Sequence, residues 1–192
     1  MCIFSTSFFN WISYYLCISF SDKSTRSSEG STGGTTFFNN ATDIQNIIGR
    51  VTGGSVSNID GIIRANGAAN LFLINPSGII FGRNASFNIG GSFVATTANA
   101  IRFGNQGFFN ASAPNNPELL TVNPSAFFFN QNAAAPIQNN SVANAGLNPS
   151  SKITARGLRV PDGLSLLLVG GDININGGGL YAWPQLTLTH DI

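Results

Sequence analysis

The sequence predicts an all-β protein built as a parallel β-helix with extra-helical loops or strands, and three observations carry that prediction. Between Asn70 and Phe103, apolar residues come in pairs separated by one position: Leu71 and Leu73, Ile79 and Phe81, Phe87 and Ile89, Ile101 and Phe103, with Phe93 and Ala95 a weaker pair. Such alternation turns each pair toward one face of a strand. The pairs recur roughly every eight residues, a tighter rhythm than most hairpin meanders. Asn, Gly or Pro stands in almost every gap. Three such strand-and-turn units make a coil of roughly 24 residues, and stacking coils buries columns of Leu, Ile and Phe behind corners made of turn residues. Asparagine suits those corners because it tolerates left-handed backbone angles and can hydrogen-bond from one coil to the next.

Composition bounds the problem. The chain has 192 residues, 43% of them hydrophobic, which suits a single domain with a core. Only 9% are charged, against about 25% in ordinary soluble proteins, so Gly, Asn, Ser and Thr must solvate the surface. A net charge of +1 with scattered basic residues gives no electrostatic footprint for nucleic acid or an anionic membrane.

Taken in order, Met1 to Phe20 is rich in Phe, Ile, Tyr and Trp but has no Lys or Arg before Lys23, whereas a signal peptide wants a basic start. Asn10, Ser13 and Ser19 interrupt it, so it also makes a poor membrane span and no stable span is expected. Cys2 and Cys17 both fall here and no cysteine follows, leaving neither a disulfide framework nor a CxxC pattern. Lys23 to Thr36 is Ser, Thr and Gly-rich and reads as a linker, with ordered structure expected from near Thr36. From Phe37, Ile44, Ile47 and Ile48 fit either one short helical turn or an irregular strand. Gly53-Gly54, Asp60-Gly61 and Asn66-Gly67 then mark corners, with Val56, Ile59, Ile62 and Ile63 as core candidates.

Asn75-Pro76-Ser77-Gly78 reads as a type I turn: Asn favours the first position, Pro fixes φ at the second and Gly relieves crowding at the fourth. After Phe103 the rhythm breaks, and the prolines of Gly104 to Glu118 predict a surface excursion whose Phe108 and Phe109 pack back onto the helix. Leu119 to Asn130 predicts another strand. Its Phe127, Phe128 and Phe129 form either an exposed aromatic contact surface or, as the preferred reading, a buried strand capping an open end of the helix. Gln131 to Thr154 predicts a long loop with one short strand near 136–142. Pairing returns with Leu158 and Val160, Leu166 and Leu168, Ile173 and Ile175, and Leu180 and Ala182, which predicts a further coil.

One run is specific enough to carry a resemblance. Asn75-Pro76-Ser77-Gly78-Ile79, then Ile80-Phe81-Gly82, then Ile89-Gly90-Gly91-Ser92-Phe93-Val94-Ala95-Thr96-Thr97 resembles the N-terminal secretion domain of filamentous haemagglutinin-type exoproteins. This is the haemagglutination activity domain of two-partner secretion systems. The resemblance runs from Phe37 to Tyr181 and implies a right-handed β-helix. It also implies a partner: a dedicated outer-membrane barrel transporter whose periplasmic POTRA domains bind the unfolded domain. It places the protein outside the cell or on its surface, by way of the periplasm. Residues 75–79 become the candidate secretion motif and turn, with Ser77 where the family commonly has a second Asn. In such exoproteins the effector region lies downstream, so contact with host or cell-surface glycans would belong to that region.

The resemblance divides the chain into an atypical N-terminal segment and linker over 1–35, a two-partner secretion β-helix domain over 36–182, and an atypical tail over 183–192. The first and last segments depart from the family pattern, so a gene fragment with a mis-started opening is expected, the alternative being an unusual export signal.

Catalytic chemistry is nearly absent from the sequence. The one histidine is His190, and there is no GxSxG, HExxH or GxxxxGK[ST] pattern. Asp43, Asp60, Glu118, Asp162 and Asp172 lie far apart and mostly at turn-like positions, and Asp-Gly at Asp60 and Asp162 is a turn pair first. No catalytic residue, cofactor or metal is expected. The function predicted is a non-enzymatic secretion domain; a stand-alone β-helix adhesin or carbohydrate-binding module is the first alternative and a polysaccharide-active β-helix enzyme the second.

Overall fold

The computed structural model describes residues 34–112, 123–130, 134–147 and 154–184, together with the backbone of 2–3 and 15–20. Among them the chain winds through successive coils of short strands and contains no helix. The first coil holds β2 (Tyr15–Phe20) and β3 (Thr35–Phe38), preceded by β1 (Cys2–Ile3). The second holds β4 (Asn46–Val51), β5 (Ser57–Ile59) and β6 (Ile62–Ala65), and the third β7 (Asn70–Ile74), β8 (Ile79–Phe81) and β9 (Ser86–Asn88). The fourth begins with β10 (Phe93–Thr96) and leaves the helix for β11 (Ala100–Phe103), β12 (Gly107–Asn110) and β13 (Ala126–Phe128). It returns at β14 (Ile137–Asn139), leaves again for β15 (Asn144–Leu147) and closes with β16 (Thr154–Arg159). The fifth holds β17 (Leu166–Val169), β18 (Ile173–Ile175) and β19 (Gly179–Tyr181).

Like strands of successive coils stack into three faces, which makes the protein a parallel β-helix. The first face runs β2-β4-β7-β10-β17, all parallel, with β1 antiparallel on the outer edge of β2. The second runs β5-β8-β14-β18. The third is split into β3-β6-β9 and a separate sheet in which β16 lies between β15 and β19. One coil advances 24 residues from Asn46 to Asn70 and 22 from Asn70 to Ser92, so the roughly 24-residue coil read from the apolar pairs is the spacing the chain uses.

Alternation decides what each strand buries. Ile47, Leu71 and Phe93 stand in one register and point inward with Leu73, Ile79, Phe81, Ile137 and Leu158. Phe81, Phe87 and Phe93 meet there, with Phe87 and Phe93 stacked at 4.1 Å between centroids and Phe81 set edge-on to both. The outward positions Ile48, Phe72 and Ile74 belong to a second apolar cluster with Ile101, Phe103, Phe109, Ala111 and Phe127.

That second cluster corrects the expectation for Ile101 and Phe103. They do not continue the helix: β11 pairs antiparallel with β12 and with β13, and this three-stranded sheet covers the outer side of the first face. Period-two alternation marks a strand with one buried face and is blind to which partner it takes. Phe109 packs back as expected, but Phe108 is half exposed. The Phe127 strand forms, yet it lies along the side of the helix and does not cap an end.

The short strand expected near 136–142 forms: β14 stands between β8 and β18 as a core rung, and its Ile137 is fully buried. The stretch after it, expected as loop, holds a further strand, β15. Strand structure also starts before Thr36, with β2 running beside the whole of β4. The linker over 23–33, the first half of the Leu119 strand, Glu118 and the tail with His190 lie outside the described residues.

Candidate functional site

The Asn75 turn forms the corner where the third coil passes from the first face to the second. Asn75 is fully buried, and every polar group it carries has a partner. Its Nδ2 donates to Ser55 O at 2.9 Å and to Ser57 Oγ at 2.8 Å in the coil before. Its Oδ1 accepts the Ser77 amide at 2.9 Å, its own amide donates to Thr96 O in the coil after, and its carbonyl accepts the Gly78 amide at 3.2 Å. The last bond closes the four-residue turn. One residue thus fixes a turn and ties three coils together, its side chain reaching the coil before and its backbone amide the coil after.

The neighbours follow from that demand. Ser57 occupies an inward position, in line with Ile79 and Ile137, where a hydroxyl is costly unless bonded; Asn75 supplies the bond. Gly78 has φ +117°, a conformation essentially reserved for glycine, and its carbonyl accepts the Ser57 amide. Ile79 is fully buried and its amide donates to Pro136 O. Pro76 and Ser77 are partly exposed.

A second corner of the same design sits at Asn139, on the turn from the second face to the third. Asn139 is fully buried; its Oδ1 accepts the Ser141 amide at 3.0 Å and its Nδ2 donates to Gly178 O at 3.0 Å in the next coil. Ser141 Oγ donates to Ala85 O in the preceding coil. The signal available in sequence is the shared Asn-x-Ser after a short strand, hidden at Asn139 by a polar stretch.

The three phenylalanines separate. Phe127 packs into the second cluster, Phe129 is partly exposed, and Phe128 is half exposed, its ring edge-on to Phe108 at 5.9 Å. The exposed aromatic pair is therefore Phe108 with Phe128, and Arg102 lies 6.0 Å from the Phe108 ring. The candidate surface and the Asn75 turn are not brought together into one pocket.

Carboxylates hold turns. Asp60 Oδ1 accepts the Asn84 amide at 2.8 Å one coil on, and Asp162 pairs with Arg159 at 2.9 Å. Among the described residues no group of three or more His, Cys, Asp or Glu could hold a metal ion, and no helix is long and apolar enough to cross a membrane. What the buried polar geometry does is lock coils together.

The sequence profile of the TPS secretion domain matches residues 29–189, and with them every coil from β3 to β19. The chain belongs to the TPS secretion domain family. The resemblance read from the Asn75 run and the parallel β-helix agree with it. The TPS domain is a two-partner secretion N-terminal domain, and such a domain implies an outer-membrane transporter as its partner. No curated protein and no solved structure matches the chain.

Proposed function

We propose that this domain addresses an exoprotein to a dedicated outer-membrane barrel transporter through that transporter's periplasmic POTRA domains, and that its coils then nucleate β-helix folding outside the cell. The observation that carries the reading is the family match across the coiled region. The Asn75 turn supports the folding half of it. A residue bonded through its side chain to the coil before and through its backbone amide to the coil after rewards each new coil as it arrives, and coil-on-coil stacking of this kind propagates from neighbour to neighbour. Residues 75–79 act through this register, with transporter recognition spread over the unfolded domain. The domain acts without catalysis.

The test is release of the full chain, behind a working signal peptide, from cells with and without a matching transporter. Release that requires the transporter, and that an Asn75→Ala, Gly78→Ala double variant loses, is the expected result. Release without the transporter, or none despite export to the periplasm beside a competent one, would overturn it. A second reading, a binding module, is favoured by the exposed Phe108 and Phe128 pair.

A further inference from the structure

The split in the third face leaves a groove of about 320 Å3 between β9 and the β15–β16 hairpin. Phe87 and Leu158 still meet the common core beneath it, but β9 and β16 belong to different sheets. The Ser86 amide donates back to Gly61 O, so by the alternation of a parallel ladder the Phe87 amide and carbonyl face the groove.

Across from that edge sits Arg159. Its Nη1 donates to Ala145 O at 3.0 Å, its Nη2 to Asp162 Oδ1 at 2.9 Å, and the guanidinium lies over the Trp183 ring at 4.2 Å. Three contacts fix it, yet two hydrogen bonds use only part of its five N–H groups. The backbone is shaped to admit it: β15 carries a bulge between Asn144 and Gly146, and Gly146, at φ +86°, would put a Cβ 2.5 Å from Nη1. Bulges beside binding sites re-aim side chains in this way.

We propose that this groove binds a neutral saccharide chain. Arg159 is balanced by Asp162, so the site favours no net charge, while a fixed planar fork of N–H groups suits the paired hydroxyls of a sugar ring. Ser86, Asn88 and Asn144 line the same groove and add short polar side chains, while Ile89 and Val160 are buried in the core beneath it and Pro161 is the exposed apolar residue at its rim. The ordering of Arg159 is met on folding and not on binding. This site is separate from the Asn75 turn, and its occupation is independent of export.

The experiment is an NMR titration of the full chain with maltotetraose, cellotetraose and tetra-N-acetylchitotetraose, alongside a heparin-derived tetrasaccharide and inorganic phosphate. Saturable shifts at the amides of Asn88, Asn144 and Gly146 with at least one neutral sugar are expected. Arg159→Ala and Gly146→Ala should each weaken binding about tenfold or more, the scale of a lost charge-assisted hydrogen bond. Arg159→Lys should also weaken it while retaining charge and fold, and Phe128→Ala should leave it unchanged. Absence of shifts with all three neutral sugars, equal binding by Arg159→Lys, or binding of the anionic probes alone would each overturn the proposal.

Discussion

Arg50 on β4 donates a 2.9 Å hydrogen bond to the carbonyl of Asn110 at the end of β12, 60 residues along the chain. The guanidinium also lies 5.1 Å from the Phe109 ring, and the side chain is 5% exposed. A buried cation so placed pins the antiparallel sheet to the side of the helix. Hydrogen bonds to charged groups contribute roughly 1.5–3 kcal/mol, so Arg50→Ala is expected to cost about 2–3 kcal/mol. A urea midpoint lowered by that loss divided by an unchanged m-value would show it; an unchanged midpoint would mean that apolar packing alone seats the sheet.

Asn75→Ala should be more damaging than its size implies. It leaves Ser57 Oγ without its donor inside the core and removes the acceptor of the Ser77 amide. Each abandoned buried group costs about 1–3 kcal/mol, which predicts a loss of about 3 kcal/mol. Ser77→Ala removes a partly exposed hydroxyl at the same turn and should cost under about 0.5 kcal/mol, as surface changes usually do. Equal losses for the two variants would sink the account of Asn75 as the register pin.

The coils were legible in the sequence where strand and corner are both local. Leu71 and Leu73, Asn75 to Gly78, and Ile79 and Phe81 announce a rung, a turn and the next rung within 11 positions. Ile101 and Phe103 follow the same alternation and leave the helix, because a strand's pattern names its buried face and not its partner. Arg50 gives no local sign of its role, since its partner lies 60 residues away. Asn139 belonged to a stretch without periodicity, because β14 offers only one apolar inward residue, Ile137, before a corner built from polar side chains.

Phe109 and Phe128 should separate the two readings of the aromatic strands. Phe109 is 3% exposed within the second cluster and Phe128 is 50% exposed. Truncating a buried Phe to Ala costs about 3–5 kcal/mol, so Phe109→Ala is expected to undock the antiparallel sheet, whereas Phe128→Ala should stay within about 1 kcal/mol of the parent, the scale of an exposed aromatic pair. Thermal unfolding of both variants checks the contrast. A Phe128→Ala loss comparable with Phe109→Ala would show that the exposed pair carries the strand.

Gly78→Ala tests whether the turn couples coils on both sides. Alanine at φ +117° stores about 1–3 kcal/mol of backbone strain, and its Cβ would lie 3.4 Å from Pro136 O. The strain falls where the Gly78 carbonyl accepts the Ser57 amide and the Ile79 amide donates to Pro136 O. Hydrogen exchange should therefore quicken at the Ser57 and Ile79 amides first, two coils sensing one substitution. The Gly157 amide, bonded to Ala143 O on the third face, should keep its protection, because a local opening at one corner leaves the others paired. Loss spread evenly over all three amides would mean that the helix opens as one unit and that the Asn75 corner has no local stability of its own.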